Sequence, residues 1–323
     1  MTVSSVVVAG GREVPIRRTR ALGRSIRQTL IRPQFWFGLT ILTPTIIWYG
    51  LFAYRPIFRA FTMSVTKYRL IDAANSTFVG LENFRQLFEY FLFPIAIFNT
   101  VSWALGAFLT MLPISVLVSV ALVSVLRGRN FYQAIIFLPV VVSLVAVALL
   151  FRMLMDPEVG QFNIVLSPIL EIFGLEPFQW LSDSSSVMAT AVGIGVWKGL
   201  GFYVVIITAG MMNIPMELQD AATVDGVNGW QRFRFITMPL IMHTMLLITV
   251  MLVIGSLQEF TGIFVLTNGG PGNSTYMYTM LIYDEAFQQM RFGTATAAAI
   301  MQFFVILVIT IFQLRVIKPN WSY

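Results

Sequence analysis

Apolar residues in this chain gather into long runs, and the polar stretches between them carry nearly all of the charge. A helix needs about 20 predominantly apolar residues to cross the hydrocarbon of a bilayer. Six stretches meet that requirement, at approximately 36–57, 98–126, 131–153, 186–212, 240–266 and 294–317. The second is long enough to tilt or to project beyond the membrane. Pro113 and Pro139 fall inside the second and third spans, where neighbouring helices can satisfy freed carbonyls, so kinks rather than breaks are expected. The pattern therefore predicts an all-α fold, a polytopic bundle of six transmembrane helices. It divides the chain into a basic tail over 1–35, a membrane domain over 36–317 and a short C-terminal tail over 318–323.

Composition agrees with this class. Hydrophobic residues make up 57% of 323 positions and charged residues 11%, against about 25% charged in soluble domains. With no Cys there is neither a disulfide framework nor a thiolate metal site, and the single His243 excludes a multi-histidine site. The net charge of +6 could suggest nucleic acid. Basic residues flanking apolar spans instead fit the positive-inside rule, so the partner read from charge is the lipid bilayer.

The tail holds Arg12, Arg17, Arg18, Arg20, Arg24, Arg27 and Arg32. It is too long for a signal peptide and is read as the flank of an uncleaved signal anchor, with the N-terminus in the cytoplasm. Six spans then return the C-terminus, with Arg315 and Lys318, to the same side. Arg127, Arg129, Arg232 and Arg234 join them there. Fewer basic residues fall outside: Arg55, Arg59, Lys67, Arg69, Arg85, Arg152 and Arg291.

The cytoplasmic segment 213–239 is built as more than a linker. Pro215 suits the first turn of a short helix, and Glu217 and Asp220 place negative charge where the helix dipole favours it. Asp225-Gly226 marks a stop, with Gly free to adopt a left-handed conformation. Asn228 and Gln231 have the spacing of a capping box opening a second short helix. That helix puts Trp230, Phe233 and Thr237 on one face, with Arg232 and Arg234 reaching headgroups or water. Helix, turn and helix form a rigid knob suited to docking.

No phosphate-binding Gly-x4-Gly-Lys-Ser/Thr loop occurs, and Gly199-x-Gly201 within a span reads as helix packing. The small residues of Gly293–Ala299 read the same way, and Asn273-Ser-Thr275 reads as turn chemistry. No set of residues suggests a catalytic, metal or cofactor site. Charges within the spans reduce to Lys198 and Glu259, and such charges usually face a cavity or a partner. Together with Gln258 they are the candidate substrate path. A secondary, ion-coupled transporter would usually show structural repeats and intramembrane ion-binding groups, and a membrane enzyme would need titratable residues clustered at one depth.

The stretch DAATVDG followed by ITMP resembles the cytoplasmic signature of the permease subunits of binding-protein-dependent ABC importers of type I. Ala221, Ala222, Asp225, Gly226, Ile236 and Pro239 match, while Asp220 stands for the usual Glu and Met238 for the usual Leu. Asn99-Thr100, Phe137–Pro139, Gly160 with Asn163, Trp180–Asp183, Trp197, Ile214–Leu218 and Leu266–Thr275 are similar to the carbohydrate-uptake branch. The resemblance implies a bacterial cytoplasmic (inner) membrane protein that forms a pore with a second, homologous permease subunit. Two ATP-binding cassette subunits, which use ATP and Mg, bind below, and an extracytoplasmic solute-binding protein delivers the substrate. It further implies that the first short helix of the segment, with Glu217, Asp220, Ala221, Ala222, Asp225 and Gly226, couples the pore to the ATPase. Substrates of that branch are disaccharides, oligosaccharides, and glycerol phosphates or polyols.

Overall fold

The computed structural model describes residues 33–68, 76–124, 127–172 and 176–317. The arginines of the basic tail, Arg69, the end of the expected second span at 125–126 and the C-terminal tail 318–323 lie outside the described residues. The chain divides into two compact units, the first ending at Ala60 and the second beginning at Phe61.

Helix α1 covers Trp36–Ser64 and includes a π turn at Gly50–Tyr54. Within the first unit the Thr40 and Thr43 hydroxyls donate to the carbonyls of Trp36 and Leu39, at 2.8 and 2.6 Å. Polar side chains thus enter an apolar helix without leaving a hydroxyl unmet.

In the second unit, strands β1 (Thr66–Lys67) and β2 (Thr77–Phe78) pair antiparallel, with Thr66 opposite Phe78. The remaining described elements are helical: α2 (Glu82–Glu89), α3 (Leu92–Ser124), α4 (Arg129–Val141), α5 (Leu144–Leu154), α6 (Gln161–Ile172), α7 (Val187–Met212), α8 (Met216–Val224) and α9 (Gly229–Leu240). After them come α10 (Met242–Leu257), α11 (Thr261–Thr267), α12 (Tyr278–Tyr283) and α13 (Phe292–Val316). Four helices, α1, α3, α7 and α13, are each long and apolar enough to cross a membrane, and the bent pairs α4 with α5 and α9 with α10 bring the number to six.

Helices in lipid associate through close packing and polar contacts rather than through hydrophobic burial from water. Helix α7 shows both. The Ser119 hydroxyl of α3 donates to the Val204 carbonyl at 3.1 Å. Gly201 lies so close to α4 that a Cβ there would stand 2.3 Å from the Ile136 carbonyl oxygen, the packing role expected for these glycines. On α13, Gly293, Thr294, Ala295, Ala297 and Ala298 are buried, as small interface residues should be. One apolar core runs through Trp103, Val147, Ala191, Leu252, Ile263 and Ala298. A second gathers Val116, Ile207, Met211, Ile214, Ile241, Met245 and Ile248.

The spans depart from expectation in four places. Helix α3 begins at Leu92, because Pro94 falls in its first turn, where a missing N–H costs nothing. It continues through Pro113, as expected for a tolerated proline. The third span breaks where a kink is expected: α4 and α5 meet at 89°, with an extended backbone at Val142. Pro139 withdraws one N–H from the ladder, and the β-branched run Val140–Val142 favours the extended conformation. The fifth span is likewise interrupted. Helix α9 meets α10 at 72°, and α10 ends at Leu257 before α11 resumes at Thr261.

Candidate functional site

The segment 213–239 closes on itself through local bonds. Pro215 stands at the N-cap of α8, one position earlier than expected, and Glu217 lies in its first turn. The helix ends at Val224 and is closed by Gly226, whose φ is +70°. The Val227 N–H donates to the Ala222 carbonyl at 3.0 Å and the Gly226 N–H to the Thr223 carbonyl at 3.2 Å. This nested pair of bonds is a Schellman closure, which a left-handed glycine permits. The Asn228–Gln231 capping box opens α9: the Gln231 N–H donates to Asn228 Oδ1 at 2.9 Å and the Asn228 N–H to Gln231 Oε1 at 3.0 Å. Trp230 packs on Phe233 with ring centroids 5.7 Å apart, and the Arg234 guanidinium lies 5.7 Å from the Phe235 ring centroid.

The structure sorts the six residues that the resemblance implies for coupling. Glu217, Asp220, Ala221, Asp225 and Gly226 are exposed, whereas Ala222 is 3% exposed and points into this chain. Two adjacent rows of α8 therefore face outward at helical spacing: Met216, Asp220 and Val224 in one, Glu217, Ala221 and Asp225 in the other. Val224 is 87% exposed and Met216 67%. Large exposed apolar side chains beside acidic ones mark a contact surface. The sequence reading missed Met216 and Val224; their position four residues before and four after Asp220 was the available signal.

Within the bundle lies a cavity of about 270 Å³. Lys198 and Glu259 both line it, with Trp103 of α3, Tyr203 of α7 and Ser256 of α10. Gln258 does not; it caps α10 and is exposed. Lys198 Nζ donates to the Val140 carbonyl at 2.9 Å, and Glu259 Oε1 accepts the Gly262 N–H at 2.8 Å. Trp103 and Tyr203 carried no separate signal in the sequence, since aromatic residues make up 14% of the chain.

The remaining motifs frame the opposite side. Asn99, 5% exposed, donates through Nδ2 to the carbonyls of Asn273 and Tyr276, at 2.8 and 3.1 Å. The Tyr278 N–H donates to the Thr100 hydroxyl at 2.8 Å, and the Thr267 and Thr275 hydroxyls share a bond of 2.7 Å. These bonds tie the turn 268–276 to α3 and α11. Trp180 Nε1 donates to Asn163 Oδ1 at 2.9 Å, fixing α6 against the chain that follows it. The Thr279 hydroxyl donates to the Glu259 carbonyl, joining this frame to the cavity.

Comparison with known proteins agrees with this geometry. Residues 111–321 match the family described as "Binding-protein-dependent transport system inner membrane component". The chain is 29% identical over 283 residues to the probable ABC transporter permease protein YurN of Bacillus subtilis, covering 86% of this chain and 95% of that one. It is 27% identical over 287 residues to the multiple sugar-binding transport system permease protein MsmF of Streptococcus mutans, covering 88% and 96%. It also superposes with a TM-score of 0.78 and 28% identity on a chain of a bacterial alginate ABC transporter solved with an alginate pentasaccharide-bound periplasmic protein, covering 93% of this chain and 99% of that one. Its bent spans, cavity and surface-exposed signature helix are thus those of a transport protein, and the chain belongs to the family of inner-membrane components of binding-protein-dependent transport systems.

Proposed function

We propose that this chain is one half of a heterodimeric pore in an ATP-driven importer of di- and oligosaccharides. The observation that carries this reading is the outward face of α8, where Met216, Asp220 and Val224 stand beside Glu217, Ala221 and Asp225 with no cover from the described residues of their own chain. A short helix offering carboxylates and apolar side chains together fits a groove with basic rims and an apolar floor. In this account that groove belongs to an ATPase subunit, which uses ATP and Mg, while this chain supplies no catalysis. Ala222 anchors the helix inward, so a push on α8 reaches the core of Ile214 and Ile241 that flanks the segment.

The same account assigns the sugar path to the cavity of Lys198 and Glu259. Trp103 and Tyr203 offer ring faces to sugar C–H groups there, and Ser256 and Glu259 offer hydrogen-bonding atoms. The sugar-transport relative and the alginate-transporter neighbour support this substrate class, and the latter supports delivery by a binding protein. Both termini lie in the cytoplasm. The test is reconstitution of this chain with its partner permease, two ATPases and binding protein in proteoliposomes. Labelled oligosaccharide should enter only with ATP and binding protein; uptake driven by an ion gradient without ATP would replace this reading with secondary transport.

A further inference from the structure

The fifth span breaks beside the cavity. Helix α10 ends at Leu257 and α11 begins at Thr261, and Ser256 before the break, Glu259 within it and Gly262 after it all line the cavity. Carbonyls at a broken helix end lose their N–H partners four residues on, and inside hydrocarbon water does not replace them. Two other helices supply donors instead. Gln302 of α13 donates through Nε2 to the Leu257 carbonyl at 2.6 Å, across 45 positions. The Thr279 hydroxyl of α12 donates to the carbonyl of Glu259 itself. Gln302 stands in an apolar run, between Met301 and Phe303, where a polar side chain is costly and usually has a task.

We propose that Gln302 and Thr279 are positioning residues for the sugar path: they hold the fifth span in its broken form and so fix the Glu259 carboxylate in the cavity wall. The inference rests on the reading of that cavity as the path. In a continuous helix the Gly262 N–H would bond the carbonyl of Gln258, four residues back. The break releases this N–H, which donates instead to Glu259 Oε1 at 2.8 Å. Glu259 is thus held twice, by Thr279 at its carbonyl and by Gly262 at its carboxylate. Gln302 secures the end of α10 two residues earlier. Removing either outside donor favours closure of the helix, which takes the Gly262 N–H away and frees the carboxylate to turn.

The test is the ratio of ATP hydrolysed to sugar imported by the reconstituted importer, with a labelled mixture of neutral and uronate-containing di- and trisaccharides as probe. A variant that merely loses folded protein lowers both rates together and leaves the ratio alone. Thr279→Val and Gln302→Met keep the size of the side chain and remove the donor. Each should raise the ratio at least about fivefold, the lower end of what an unmet buried carbonyl costs. Thr279→Ser, which keeps the hydroxyl, should restore the wild-type ratio. Glu259→Gln should raise the ratio too, and adding Thr279→Val to it should raise it no further, because residues acting as one unit are not additive. Effects that multiply, a ratio unchanged in both donor-free variants, or failure of both to accumulate would overturn the inference and leave the importer reading standing. Absence of ATP-driven uptake by the wild-type importer would instead remove the reading beneath it.

Discussion

The Arg232 guanidinium donates to the Thr223 hydroxyl at 2.8 Å, closing α9 onto α8 across the left-handed turn at Gly226. This bond, the Schellman closure and the Asn228–Gln231 box make two short helices one body. Neither helix is long enough to be stable alone in water. Ile214 and Ile241, 7% and 1% exposed, hold its two ends in a single apolar core. The outward rows of α8 are therefore presented at a fixed angle, which a docking surface requires.

Gly226 is the position where shape alone can be changed. A β-branched residue at φ +70° costs about 1–3 kcal/mol, and nothing lies within 4 Å of the Cβ it would add. Gly226→Val should accumulate and pair with its partner permease while sugar uptake falls at least about tenfold, since each 1.4 kcal/mol is a factor of ten. Gly226→Asn, whose side chain tolerates the left-handed region, should retain most uptake. Immunoblots of membranes beside uptake rates separate misdocking from loss of the protein.

Asp220 is exposed and pairs with no described residue in an ion bridge, so its removal should spare the fold. Asp220→Ala is expected to lower uptake and weaken retention of the ATPases during purification, whereas Asp220→Glu should preserve both. Equal retention of ATPase by Asp220→Ala would show that this carboxylate takes no part in docking.

Orientation can be read with cysteines, because the native chain has none. Ser184 and Asn228 are both exposed. In cells without an outer-membrane barrier, an impermeant thiol reagent should label Ser184→Cys and spare Asn228→Cys; the opposite pattern would invert the topology.

Asn99 tests the frame around the turn 268–276. Its amide is buried and gives hydrogen bonds to two carbonyls of the turn, and leaving those carbonyls unmet costs about 1–3 kcal/mol. The thermal midpoint of the detergent-solubilised protein should fall in Asn99→Ala and at least as far in Asn99→Asp, which keeps the shape but loses the donor. An unchanged midpoint in Asn99→Asp would assign the role to shape instead.

What could be read from the sequence is what local chemistry decides. The six crossings follow from apolar runs, the Asn228–Gln231 box from a spacing of three, and the turn from Asp225-Gly226. The breaks in the third and fifth spans were hidden, because the groups that stabilise them are distant or turn on backbone geometry. Lys198 meets Val140 across 58 positions, and Glu259 reaches forward to a helix start that apolar composition conceals. The inward turn of Ala222 and the convergence of Trp103, Tyr203 and Lys198 on one cavity are likewise products of packing, to which neither periodicity nor motif spacing is sensitive.

The central claim is that the outward face of α8 docks on an ATPase, and proximity at Val224 tests it most directly. Val224→Cys supplies a unique thiol at a site 87% exposed. In membranes holding the whole importer, a short thiol-to-amine cross-linker should join position 224 to the ATPase subunit, and Ser184→Cys should give no such product. An intact assembly in which position 224 never links to the ATPase would contradict the account.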